Sequence, residues 1–215
     1  MLLVVGFIAI RRSQGEASDG PAIPQESTPP VEPADGDHSA ADLLATLAVT
    51  GEVSREGYER EAFGGGWLVG PDGCDVRNQV LAEESQVPVT RGADGCTVVG
   101  GEWLSLYDGY STPNLQELEI DHMVPLAEAW DSGANAWPPE QRAQFANDTV
   151  RPDALIAVTA AMNQSKSDRD PAEWMPPNRD AWCRYTDAWI TQKAAWQLTI
   201  DLSEHDALQN VLATC

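Results

Sequence analysis

The sequence predicts an α+β domain in which two short strands with a helix packed across them sit inside a mostly helical body. Three observations predict it. Leu118 and Ile120 alternate with polar residues ahead of Asp121-His122, which is strand periodicity. Leu155-Ile156-Ala157-Val158 is a second short apolar run, after which Thr159 is placed to cap a helix carrying Asn163 and Lys166. Elsewhere helical spacing dominates, most extensively over 179–197.

Taken from the amino terminus, residues 1–15 read as a truncated signal peptide or the remnant of an anchor. MLLVVGFIAI is apolar and precedes Arg11-Arg12, but such a run is too short for a bilayer, which needs about 20 residues. It has the character of a secretory h-region without the basic n-region. Residues 16–48 are expected to be a linker, because prolines, serines and acids with few large apolar side chains cannot offset ordering entropy. Within its last part Leu43, Leu44 and Leu47 have helical spacing, so folding is expected to begin near Ala40. Residues 49–215 form the predicted domain.

Up to Tyr110 the signals are short and turn-rich. Gly64-Gly65-Gly66 reads as a loop, since no phosphate-cradling GK[ST] follows it. Val76 to Ala82 is a short helix carrying Arg77. Asp-Gly-Cys occurs twice, ending at Cys74 and Cys96, and Asp-Gly favours turns; calcium binding there would need more clustered oxygen ligands. The four cysteines, Cys74, Cys96, Cys183 and Cys215, lack CxxC spacing, which argues against structural zinc. Pairing Cys74 with Cys96 and Cys183 with Cys215 closes the short loops and suits an oxidising compartment. Free buried thiols are the alternative.

Leu126 to Ser132 reads as a helix stopped by Gly133, and Trp137-Pro138-Pro139-Glu140 opens another that runs to about Asn147. Over 179–197, Trp182, Tyr185, Trp189 and Trp196 fall on one side, a pattern expected of a buried face rather than a base-stacking platform. Ser203 with Asp206 resembles a capping box for a last helix, leaving His205 in its first turn.

Charge weighs against nucleic-acid binding at first sight. Thirteen bases against 34 acids leave −21, and duplex affinity rests on cations meeting phosphates. The segment from Arg142 to Lys193, however, holds seven bases (Arg142, Arg151, Lys166, Arg169, Arg179, Arg184, Lys193) and seven acids (Asp148, Asp153, Asp168, Asp170, Glu173, Asp180, Asp187). The deficit lies elsewhere in the chain.

On a strand–strand–helix frame, Asp121, His122, Asn163 and Lys166 would gather a carboxylate, an imidazole, a carboxamide and an ammonium. That set suits metal-assisted phosphodiester cleavage. An imidazole of ordinary pKa, about 6.5, can act as general base at neutral pH, while a divalent ion relieves charge on a phosphate oxygen and on the departing one. Each residue also has a plain structural role open to it: Asp121 as cap of the Leu126 helix, His122 as a bonded core histidine, Asn163 as a helix cap, Lys166 as a solvated charge.

The string IDHMVPLAEAW…FAND…LIAV…MNQSKSDRDPAEWMPP resembles the HNH nuclease family, in the branch related to the C-terminal nuclease domain of GmrSD-type restriction enzymes, which includes many small exported bacterial proteins. The likeness extends over roughly Arg60 to Trp196 and takes in Cys74 with Arg77, Cys96 and the Gly101-Glu102-Trp103…Tyr107-Asp108-Gly109 run. It implies a ββα-metal finger with Asp121 and Asn163 as metal ligands, His122 as general base and Lys166 on a phosphate. It also implies a divalent cofactor, magnesium before manganese, calcium or zinc. The family's middle asparagine, which steadies the imidazole, would fall at Ala154; Asn147 or Asp153 is expected to take over its duty.

The function expected is therefore a secreted, monomeric, largely sequence-nonspecific endonuclease acting on DNA, with RNA as a second substrate and no stable membrane association once mature. The alternatives are an HNH-like binding module with weak or no turnover and a hydrolase of a non-nucleic phosphodiester.

Overall fold

The computed structural model describes residues 39–215; the leader-like run and the linker as far as His38 lie outside the described residues. Helix α1 (Ala40–Thr46) opens with Ser39 and Asp42 bonding reciprocally across its first turn. Leu44 and Leu47 sink into the main core, so the folded body starts ahead of position 49, at the helix expected there.

A 3₁₀ turn (Arg60–Phe63) leads through Gly64, Gly65 and Gly66, all at positive φ, into Trp67. The two Asp-Gly-Cys turns are built alike. Asp72 and Asp94 each accept the amide of the cysteine two residues on, and Gly73 and Gly95 take the left-handed conformation that the turn requires. Cys74 is bonded to Cys96 and Cys183 to Cys215, and no described cysteine is free. Helix α2 (Val76–Glu84) follows the first turn, capped by Asp75.

Two small antiparallel pairs come next, β1 (Thr90–Arg91) with β2 (Val98–Gly100) and β3 (Trp103–Leu104) with β4 (Ser111–Thr112). The central pair is β5 (Leu118–His122) with β6 (Leu155–Thr159), antiparallel over all five residues. Between them lie α3 (Leu126–Asp131), ended where Gly133 turns left-handed, and α4 (Pro139–Ala146), opened by proline. Helix α5 (Ala160–Lys166) follows β6 directly, and α6 (Trp182–Ala195) and α7 (Leu202–Leu212) complete the body.

All five β6 residues are buried because both faces of the pair are covered. Leu155 and Ala157 join Leu118 and Ile120 in a cluster with Val76, Val80 and Leu81 of α2. Ile156 and Val158 face the larger core, with Tyr107, Tyr185 and Trp189. Tyr185 and Trp189 are fully buried, as the helical spacing predicted, so they offer no face to a base.

Two caps differ from expectation. Helix α7 is capped by Asp201, which accepts the Glu204 amide, because its carboxylate rather than the Ser203 hydroxyl precedes the first turn. Thr159 stands at the start of α5, but its hydroxyl donates to Asp108 instead of capping. No described helix is long and apolar enough to cross a membrane.

Candidate active site

Strand alternation partitions the Asp-His element. Glu119 and Asp121 lie opposite Val158 and Ile156 and project to the face covered by α5, whereas Ile120 and His122 lie opposite Ala157 and Leu155 and project toward α2. The carboxylate and the imidazole thus leave the strand on opposite sides.

On the α5 side, Oδ2 of Asp121 accepts two bonds, from the Tyr107 hydroxyl at 2.5 Å and from the Lys166 ammonium at 2.7 Å. Lys166 also donates to the backbone carbonyl of His122 at 2.8 Å. It is 0 % exposed, so the ammonium expected on a phosphate is instead the sealed counter-ion of Asp121. An ammonium in a nonpolar core is tolerated only when paired, and α5 ends with this side chain directed inward over the strand. Burial raises the Asp121 carboxyl and lowers the Lys166 ammonium, and their mutual attraction works against both shifts.

One turn earlier, the Asn163 amide donates to Oε2 of Glu119 at 2.7 Å, and Gln164 donates to Oε1 of the same carboxylate at 3.2 Å. Asn163 is thereby brought to Glu119 rather than bonded to Asp121. The bond fixes the amide's orientation: the NH₂ faces Glu119 and Oδ1 accepts nothing from the described residues. Oδ1 of Asp121 is likewise spared.

On the other side, the His122 ring stacks on Trp67, with centroids 5.4 Å apart and planes 12° from parallel. Its Nε2 lies 2.9 Å from the carbonyl oxygen of Ala146, at the end of α4. A carbonyl only accepts, so Nε2 carries the proton and Nδ1 keeps its lone pair. Burial drives the imidazole pKa down to about 4; the Ala146 bond opposes this, and the charges of Arg60 and Lys166 add to it. The ring is neutral at physiological pH. With 7 % exposure for His122 and 5 % for Asp121, neither is wholly sealed.

Asn147 ends α4 and braces this arrangement. Its Oδ1 accepts the Leu68 amide at 2.8 Å and its Nδ2 donates to the Ala143 carbonyl at 2.9 Å. One side chain therefore ties the segment presenting Trp67 to the helix end presenting Ala146. Asp153, the other candidate for that duty, turns away: it forms a two-bond pair with Arg184 and has φ 59°. The position expected to hold asparagine, Ala154, gives its carbonyl to the Met123 amide.

The donor chemistry fits a hard divalent cation. Asp121 and Asn163 each keep one uncommitted oxygen, and magnesium takes one or two protein oxygens with water and substrate phosphate. The one three-carboxylate group among the described residues, Glu52, Asp170 and Asp201, shares no member with this pair.

Tyr107, Glu119, Trp67 and the Ala146 carbonyl escaped the sequence reading as site residues. Glu119 had a usable signal, standing two residues before Asp121 on the same strand face. A backbone carbonyl has no sequence signal at all.

The family described as GmrSD restriction endonucleases, C-terminal domain, matches residues 77–211. An uncharacterized secreted protein of the fungus Arthroderma benhamiae is 38 % identical over 214 residues, spanning 100 % of this chain and 98 % of the relative. No solved structure matches.

Proposed function

This chain belongs to the family of the C-terminal domain of GmrSD restriction endonucleases, and from that premise we propose that it is an exported, metal-dependent endonuclease that hydrolyses phosphodiester bonds in DNA, and RNA secondarily, with little sequence preference. We read β5, β6 and α5 as its ββα-metal finger. The observation that carries the reading is the His122–Ala146 bond, which supports a neutral imidazole with its Nδ1 lone pair free to take a proton from water. Export is supported by the two disulfides and by the secreted relative.

Each residue then has a duty. His122 is the general base. Trp67 and the Ala146 carbonyl hold its ring in one orientation and one tautomer, and Asn147 holds both of them, filling the role that Ala154 lacks. Lys166 is a positioning residue that keeps Oδ2 of Asp121 occupied and pins the carbonyl end of β5. Glu119 orients Asn163. A divalent cation, most simply magnesium, would be held by Asp121 and Asn163 and would supply charge relief at a phosphate oxygen and at the leaving oxygen.

The test is plasmid nicking by the full chain, with magnesium or with chelator, beside His122→Ala checked for native circular dichroism. Cleavage that needs the metal and vanishes in the variant is expected. Equal behaviour of the two proteins would sink the catalytic assignment. A second reading, a module that binds without turnover, is favoured by one observation: Lys166 already neutralises Asp121. It predicts no cleavage with any divalent ion.

A further inference from the structure

Both lysines of the chain are fully buried on carboxylates, Lys166 on Asp121 and Lys193 on Glu128 and Glu204. A permanently cationic contact to a polyanion from the described residues must therefore come from arginine. Most arginines are engaged: Arg55, Arg151 and Arg184 pair with acids, three others donate to backbone carbonyls, and Arg179 lies over the Trp182 ring. Arg60 and Arg77 are different. Neither has an acid, a carbonyl or a ring as partner among the described residues, although Glu59 and Glu61 flank Arg60 in sequence. The Nη1 atom of Arg77 is moreover buried with no hydrogen bond. A guanidinium nitrogen withdrawn from water without an acceptor is costly unless a ligand completes it.

The two arginines belong to segments that adjoin the two groups holding the imidazole, the Ala146 carbonyl and Trp67. Arg60 opens the 3₁₀ turn that packs on α4: the Ala62 carbonyl accepts from Arg142, and Gly64 approaches Ala143 so closely that an added Cβ would stand 3.1 Å from the alanine methyl. The last residue of α4 is Ala146, whose carbonyl holds His122. The charge of Arg60 is felt by the buried ring. Arg77 stands in the first turn of α2, on the face shared with Val80 and Leu81 that packs on the sheet. The Val76 amide beside it bonds the Leu68 carbonyl, next to Trp67, and Val80 packs in one buried cluster with Leu155, the cross-strand partner of His122.

We propose that Arg60 and Arg77 form the phosphate-binding wall of the site, Arg60 meeting the phosphate at the imidazole and Arg77 a neighbouring phosphate of the same strand. The proposal rests on the nuclease reading for its substrate class. It offers a protein of charge −21 a local hold on a polyanion: Arg77 has a buried nitrogen without a partner and Arg60 an exposed guanidinium bonded to no other described residue, and arginine presents a planar fork matched to phosphate oxygens.

The test measures binding apart from turnover. A fluorescein-labelled single-stranded DNA oligonucleotide is titrated with the full chain carrying His122→Ala, by anisotropy at several salt concentrations. Adding Arg60→Gln or Arg77→Gln is expected to weaken binding roughly 3- to 10-fold and to lower the log–log salt slope by about 0.7 each, the value of one phosphate contact on a single strand. Arg60→Lys and Arg77→Lys should recover most of the slope, and Arg179→Gln should leave it unchanged. An unaltered slope in both glutamine variants, or no binding by the parent at any salt, overturns the proposal. If the wild-type chain never cleaves DNA yet binds it through these arginines, the nuclease reading fails and the wall stands. If cleavage is robust and indifferent to both, the reverse holds.

Discussion

Nε2 of His122 donates to the carbonyl oxygen of Ala146 across 2.9 Å, joining the end of β5 to the end of α4. The bond settles which ring nitrogen is basic. It also ties the orientation of the imidazole to the geometry of a helix terminus.

Asn147 is the residue that holds it. Asn147→Ala removes two bonds and should cost about 1–2 kcal/mol of stability. It should lower kcat for plasmid cleavage on the order of 10-fold while KM changes little, because a misplaced base affects the reacting geometry more than binding. Asp153→Asn, which touches only the partly exposed pair with Arg184, should leave kcat unchanged. The opposite ranking would return the bracing duty to Asp153.

Lys166 lies sealed between Asp121 and the His122 carbonyl. Lys166→Met leaves a buried carboxylate without its counter-ion and should destabilise the fold by about 3–5 kcal/mol in urea denaturation. Adding Asp121→Asn removes the stranded charge and should restore a large part of that loss. A Lys166→Met protein as stable as wild type would mean that the ammonium is no counter-ion.

With His122 as the proposed base, the pH–rate profile should report its imidazole. Burial places its pKa at about 4, so the basic form persists well below the ordinary midpoint of about 6.5. With metal saturating, kcat/KM should stay level from neutral pH to about pH 5 and fall only on approach to pH 4. A half-maximal point between pH 6 and 7 would show an ordinary, solvated histidine as the base.

Glu84 gives a stability signature separate from the site. Its carboxylate accepts the Ala157 amide at 2.6 Å, and burial, its largest influence, raises its pKa to about 7. The folded state therefore binds this proton more tightly than the unfolded chain, whose glutamate titrates near 4.5. The contribution is fully present below the unfolded value and is lost as pH rises through 7. It should amount to on the order of 2 kcal/mol, reduced by residual solvent screening. Urea denaturation between pH 4.5 and 8 should show this slope in wild type and a shallower one in Glu84→Gln.

Much of the frame was legible because periodicity reports burial. Leu118 and Ile120, the Leu155–Val158 run, and Tyr185 and Trp189 each follow the spacing of the element they occupy. The disulfides were legible because turn chemistry and short loops agreed. Lys166 was not, since its neighbours Ser165 and Ser167 are polar and nothing local says that the long side chain points inward; only the acid across the strand decides that. Asn163 was placed on the correct helix, but its partner, Glu119, depends on where that helix crosses the strand, which spacing does not encode. The capping of α7 was misassigned by two residues because Asp201 and Ser203 are both good caps.

The five-residue ladder between β5 and β6 has a bearing on evolution and engineering. Were the pairing displaced by a single position, every side chain would exchange hemispheres: the ring would meet the ammonium, and the acid would be thrust against indole and aliphatic carbon. Both outcomes are electrostatically hostile. Insertions or deletions near either strand should consequently be purged far more strictly than point changes, since the backbone register acts as a lock that keeps carboxylate and imidazole on their own faces of β5.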